Sequence, residues 1–183
     1  MHKDGVPGAK EKLCAALGRL IEKFPLDKMS VTELVQEAAI TRQAFYLHYK
    51  NKYDFIQDYF AVLAKQCLLD MRAGGTVRES LIRKFDFLGS HSLFIGQVYA
   101  LTECKASIEQ YDYDHSMAFY MELIERSDMT AKLYFQLRLY CHGCASMTTD
   151  WVVHGMKKSS AELTDSLIAA MPALPAAALG ARL

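Results

Sequence analysis

No run of apolar residues approaches the roughly 18 that a membrane helix requires, so the chain is not expected to span a bilayer. Neither sign of charge is in excess. With 21 Lys and Arg against 21 Asp and Glu, no global basic field draws the protein to nucleic acid, and what matters is where the charge sits. Cysteine is scarce and odd in number. Five Cys, with no secretory signal over Met1–Lys12, argue against a disulfide framework and for a reducing, cytoplasmic setting. There is no Gly-rich phosphate loop, nucleophile elbow or paired-carboxylate motif, so we expect no catalytic residues and no cofactor. Alternating strand patterns and Asn-Gly or Asp-Gly hairpin turns are missing too. The expected fold class is therefore all-α.

What the chain does contain is 183 residues, 51% of them hydrophobic, enough to bury a core in one or two small domains. From Ala9 to Phe24 the positions Leu13, Ala16, Leu17, Leu20, Ile21 and Phe24 recur at helical spacing, and Pro25 stops that helix. Ahead of it, Met1–Gly8 reads as a frayed arm whose Lys3, with Lys10, is near enough to touch DNA. A long helix follows from Asn51 to about Arg72, with Phe55, Tyr59, Val62, Leu63, Gln66 and Leu69 as its stripe, and Gly74-Gly75 ends it. Five further helices are expected over 76–89, 92–105, 114–127, 130–156 and 160–171, about nine in all. Pro172 and Pro175 close the last one, leaving 176–183 as a loose tail. We place one domain at 1–52 and a second, helical domain at 53–183.

The stretch Ser30–Lys52 organises the rest. Ser30 and Glu33 have the spacing of a capping box, and Val31, Leu34, Val35 and Ala38 share one helical face. After a break at Ala39-Ile40, Thr41 is placed to cap a second short helix, which gives the geometry of a helix-turn-helix. Phe45 and Tyr49, four apart, should pack inward and leave Arg42, Gln43, Tyr46, His48 and Lys50 outward. Between Thr41 and Lys52 the three cations Arg42, Lys50 and Lys52 have no acidic neighbour in sequence. A patch that small implies modest affinity per protomer and two protomers on DNA. Arg42 and Gln43, at the helix start, are the candidates for base edges, because Arg pairs with guanine and Gln with adenine bidentately. Ser30, Thr32, Thr41, Tyr46, His48, Lys50 and Lys52 are the candidates for the phosphate backbone.

The run Ile40-Thr41-Arg42-Gln43-Ala44-Phe45-Tyr46-Leu47-His48-Tyr49-Lys50-Asn51-Lys52 resembles the signature of TetR-family transcriptional regulators, a hydroxyl cap and then an aromatic-Tyr-x-His-aromatic stretch. It is most similar to the branch that includes the dihydroxyacetone kinase operon activator. One departure is Ala39, where the family usually has Gly in the turn. If the turn needs positive φ there, Ala carries strain on the order of 1 kcal/mol. The resemblance implies a homodimer on palindromic double-stranded operator DNA, a repressor by family default, and an unknown small-molecule effector or protein partner. A partner-dependent activator is the alternative.

The second domain is crowded with aromatic residues and Met. A helical core explains most of them, while a pocket between bundle helices would use Phe85, Phe94, Tyr99, Phe119, Tyr120 and Tyr134. The last two long helices, by the resemblance, pair with their copies, with Leu139, Gly143, Met147, Trp151 and Leu167 at the interface. Cys141-His142-Gly143-Cys144 is one Cys-x-x-Cys without a second pair or a His-x3-5-His partner, so no metal site is expected. Packing explains Cys141 and Cys144 best, and a redox-sensing interaction module built on them is the rival reading. His91, His115 and His154 are isolated.

Overall fold

The computed structural model describes residues 8–183, and among these every regular element is helical. The arm carrying Lys3 lies outside the described residues. Two compact units divide the chain, the first ending at Val62 and the second running from Leu63 to Leu183.

In the first unit, α1 (Ala9–Ile21) turns Leu13, Ala16, Leu17, Leu20 and Ile21 inward at helical spacing. Helix α2 (Val31–Glu37) buries Leu34 and Val35, and the short α3 (Arg42–Tyr46) buries Phe45. The expected caps are in place. The Glu33 backbone N–H donates to Ser30 Oγ at 3.2 Å while Ser30 N–H donates to Glu33 Oε2 at 2.7 Å. Ala44 N–H donates to Thr41 Oγ1 at 3.1 Å, and Asp54 N–H donates to Asn51 Oδ1 at 3.0 Å at the start of α4 (Lys52–Arg72). The buried face of α4 is Phe55, Ile56, Phe60, Cys67 and Met71. That face is rotated from the expected stripe, since Val62 and Leu69 are exposed.

Between α2 and α3 the backbone closes as a Schellman turn. Ile40 N–H donates to the Val35 carbonyl at 3.0 Å and Ala39 N–H to the Gln36 carbonyl at 3.1 Å, with Ala39 at φ 52°. The chain uses glycine for the same task elsewhere: Gly155 has φ 83° where α8 (Ala131–Val153) ends.

The second unit holds α5 (Val77–Ser90), α6 (Ser92–Ala100), α7 (Thr102–Leu123), α8, α9 (Ser160–Ala169) and α10 (Ala173–Leu179). Helix α7 packs on α8, α6 on both, and α5 on α9. Three boundaries differ from expectation. Leu101, extended at ψ 114°, ends α6 early. Helix α7 then runs unbroken through 107–113, because Cys104, Ile108 and Asp112 recur every four residues on its buried face. The expected loose tail is instead α10, docked on α8, with Leu179 buried. Pro172 is its N-cap, a place where proline's missing N–H does no harm.

Replacing Ala39 with Gly removes the left-handed strain and should raise the stability of the first unit by about 1 kcal/mol. Denaturant unfolding of the Ala39→Gly chain checks this; an unchanged or lower midpoint would contradict it.

Candidate nucleic-acid interface

Phe45 sets the geometry of the interface. Its ring, fully buried, lies 5.4 Å from Tyr49 and 6.2 Å from Phe55 between centroids, and Tyr49 lies 5.2 Å from Phe55. With that side of α3 fixed inward, Arg42, Gln43, Tyr46, Leu47, His48 and Lys50 are all exposed. Arg42 is also oriented. Its Nη1 donates to Thr32 Oγ1 of α2 at 3.2 Å, and its guanidinium lies 5.9 Å from the Tyr46 ring centroid. Among the described residues neither Arg42 nor Lys50 has an acidic partner, so both charges are available to phosphate or base.

Lys52 is a correction. The sequence places it with the phosphate contacts, but its ammonium donates to the backbone carbonyls of Leu26 at 3.1 Å, Asp27 at 2.6 Å and Met29 at 2.9 Å. An ammonium has three N–H donors, and all three are used. Lys52 thereby closes the loop before α2. Ser30 is similarly engaged, its hydroxyl donating to Glu33 Oε2 at 2.8 Å. The uncompensated charge of the motif is therefore carried by Arg42 and Lys50.

A network missed by sequence reasoning supports Tyr49. Its hydroxyl donates to Asp58 Oδ2 at 2.7 Å, and Lys10 Nζ lies 2.7 Å from the same oxygen. Lys10, offered above as a DNA contact, is thus tied to Asp58. Partial burial and then the Asp58 bond raise the Tyr49 pKa, which keeps its hydroxyl a donor. Burial alone would raise Asp58, but the bonds from Lys10 and Tyr49 outweigh it and hold the carboxyl below its ordinary range. Spacings of 9 and 48 positions give no local signal of such a cluster.

The profile of the N-terminal region of bacterial tetR-family regulatory proteins matches residues 13–59, and that of the TetR-type transcriptional regulator C-terminal region matches residues 75–172. The chain belongs to the TetR family of transcriptional regulators. It is a DNA-binding helix-turn-helix protein and not an enzyme. Two solved TetR-like structures share its fold: the dihydroxyacetone kinase operon activator DhaS, 12% identical with a TM-score of 0.62 over 89% of this chain and 93% of that one, and the repressor AlkX from Dietzia, 18% identical with a TM-score of 0.63 over 93% and 97%. No curated protein matches the sequence.

The TetR C-terminal region distributes the other expected residues unevenly. Phe85, Phe94, Tyr99, Phe119 and Tyr120 are buried, while Tyr134 is 42% exposed. Phe85 packs edge-on against Trp151 at 5.4 Å, and Tyr120 against Tyr140 at 5.9 Å, as core pairs. Of the interface set, Leu139, Gly143 and Met147 are exposed on α8. Trp151 and Leu167 are corrections: both are buried within the protomer, and the Trp151 indole N–H donates to the Lys158 carbonyl at 2.9 Å. Phe135, 67% exposed and one turn before Leu139, was missed and belongs to that face. Burial pushes the Cys141 thiol up to about 12 and raises Cys144 as well, so neither is a thiolate near neutral pH.

Lys52→Met should destabilise the headpiece by about 1–3 kcal/mol by leaving three carbonyls without their donor. Chemical denaturation measures this, and loss of DNA affinity with stability unchanged would contradict it. The lowered Asp58 pKa means its contribution is present above the unfolded carboxyl range and lost as pH falls through the folded value. Thermal unfolding stepped from about pH 5 towards pH 2 should show that loss, and Asp58→Asn should flatten it.

Proposed function

We propose that the protein is a homodimeric, ligand-responsive regulator that binds a palindromic operator and acts as a repressor. The observation carrying this reading is the outward, preset Arg42 beside Gln43 on a helix locked by Phe45. In this reading α3 enters the major groove, with Arg42 and Gln43 on base edges and exposed Leu47 available to a thymine methyl. Thr32, Thr41, Tyr46, His48 and Lys50 take the flanking phosphates. Two protomers set the half-sites about one helical turn, roughly 34 Å, apart.

Dimerisation is supported by the face of α8. Phe135, Leu139, Gly143 and Met147 follow one another every four residues and are all exposed, an apolar stripe with glycine at its centre. An isologous pairing of that stripe suits a palindromic site. Effector binding in the second unit would change operator affinity by linkage, with α4 as the element shared by both units. DhaS is named an activator and AlkX a repressor, so an activator acting through a protein partner is the second reading. The raised thiol pKa values give the redox-module reading no support.

Fluorescence anisotropy with operator-length duplexes from upstream of its own gene tests the proposal. Binding should fall steeply with salt, and Arg42→Ala should reduce discrimination between matched and mismatched sites by about 1–3 kcal/mol. Equal affinity for every duplex, in wild type and variant alike, would remove the role of Arg42. Leu139→Asp should leave a monomer by sedimentation and lower operator affinity at least tenfold, on the order of 1.4 kcal/mol or more. A dimer that persists would move the interface elsewhere.

A further inference from the structure

Two arginines stand among the described residues of the first unit, and they are held in opposite ways. Arg19 gives Nε to the Glu37 carboxylate and Nη2 to the Glu37 carbonyl, so its charge is neutralised within the protein. Arg42 meets only neutral groups. Its Nη1 donates to Thr32 Oγ1 at 3.2 Å, and its Nη2 reaches the Tyr46 hydroxyl at 3.5 Å, the weaker of the two contacts. A guanidinium has five N–H donors, so each terminal nitrogen keeps one N–H and the positive charge stays whole.

The Thr32 hydroxyl is also only half used. Ser80, Thr148 and Ser166 turn their hydroxyls back on the carbonyl four residues earlier, at 2.8, 2.8 and 2.7 Å. Thr32 is the second residue of α2, and among the described residues its hydroxyl hydrogen has no protein acceptor. The oxygen accepts from Arg42, which leaves the O–H free to donate. Thr32 is half-buried and Arg42 exposed, so their bond lies where α2 meets the outward side of α3. A partner that sets an anionic oxygen near two in-plane acceptors completes both groups at once. Duplex DNA has this pattern in the phosphate of the strand and in O6 and N7 of guanine in the major groove.

Resting on the DNA-reading role of α3 proposed above, we infer that Thr32 is a positioning residue for base readout: its hydroxyl donates to a phosphate and accepts from Arg42, whose two remaining N–H groups pair with guanine O6 and N7. One oxygen thereby ties the register on the strand to the base. Each half-site then carries a guanine whose recognition depends on a residue that never touches it. A long side chain loses rotamer freedom when it binds, and the Thr32 bond removes part of that freedom beforehand.

Selection from a duplex library of random sequence, with the full chain as bait, tests this without prior choice of an operator. Wild type should enrich a motif with a guanine column that Arg42→Ala erases. Thr32→Val keeps the shape of the side chain and deletes the hydroxyl, so it should lower the guanine preference in that column by about threefold to tenfold and leave the other columns as they are, while Thr32→Ser restores it. On the selected duplex, replacing phosphates one at a time by methylphosphonate should find one whose loss lowers the guanine preference in wild type but not in Thr32→Val. A guanine column that survives Thr32→Val, a loss spread evenly over all columns, a loss that Thr32→Ser does not restore, or the absence of such a phosphate overturns the inference and leaves Arg42 as the reader. A guanine column indifferent to Arg42→Ala, or no enriched motif, overturns the DNA-reading role itself and the inference with it.

Discussion

The burial of one ring, Phe45, is the constraint on which the DNA-facing geometry depends. Helix α3 is five residues long, too short to hold itself together by its own hydrogen bonds, so its orientation comes from tertiary packing. Phe45 between Tyr49 and Phe55 supplies that packing, and the cap at Thr41 fixes where the helix starts. Helical periodicity then puts Gln43 on the opposite side, while Arg42, at the first position of the helix, is exposed and held by its bond to Thr32 Oγ1. The Lys10–Asp58–Tyr49 cluster then braces the end of the same segment from α1 and α4.

Polar groups hold the loops of this small unit where apolar area is limited. Lys52 gathers three carbonyls of the turn before α2, those of Leu26 and Met29 in part-buried bonds, and the capping box at Ser30 satisfies the helix start beside them. Against these gains stands Ala39, held left-handed by the two Schellman hydrogen bonds. The turn keeps its shape because α2 and α3 are each anchored by buried side chains, which makes the local strain tolerable. In the second unit the balance is different. A long helical core could be wholly apolar, yet it retains Lys84, Asp112 and Tyr99 together, at a desolvation penalty that apolar replacements would avoid.

Much of the headpiece was legible because its signals are local. Caps act over three residues, inward and outward faces over four, and the run from Ile40 to Lys52 carries the TetR resemblance by itself. Local reading failed where the partner lay far along the chain. Nothing near Lys52 announces the carbonyls of Leu26, Asp27 and Met29, and nothing near Trp151 shows that its ring meets Phe85 rather than a second protomer. Pro172 was read as a stop because proline ends helices, though it equally starts them; the docking of α10 on α8 decided between the two.

By itself the sequence determined the all-helical class, the two caps, the break at Ala39-Ile40, and the side of α3 that carries Arg42 and Gln43, since all of these follow from short-range geometry along one chain direction. Only the tertiary structure decided which cations are free and which are tied, which aromatics are core, and that Lys84 meets Asp112. Those depend on distances between segments far apart in the chain, and no periodicity within a helix encodes them.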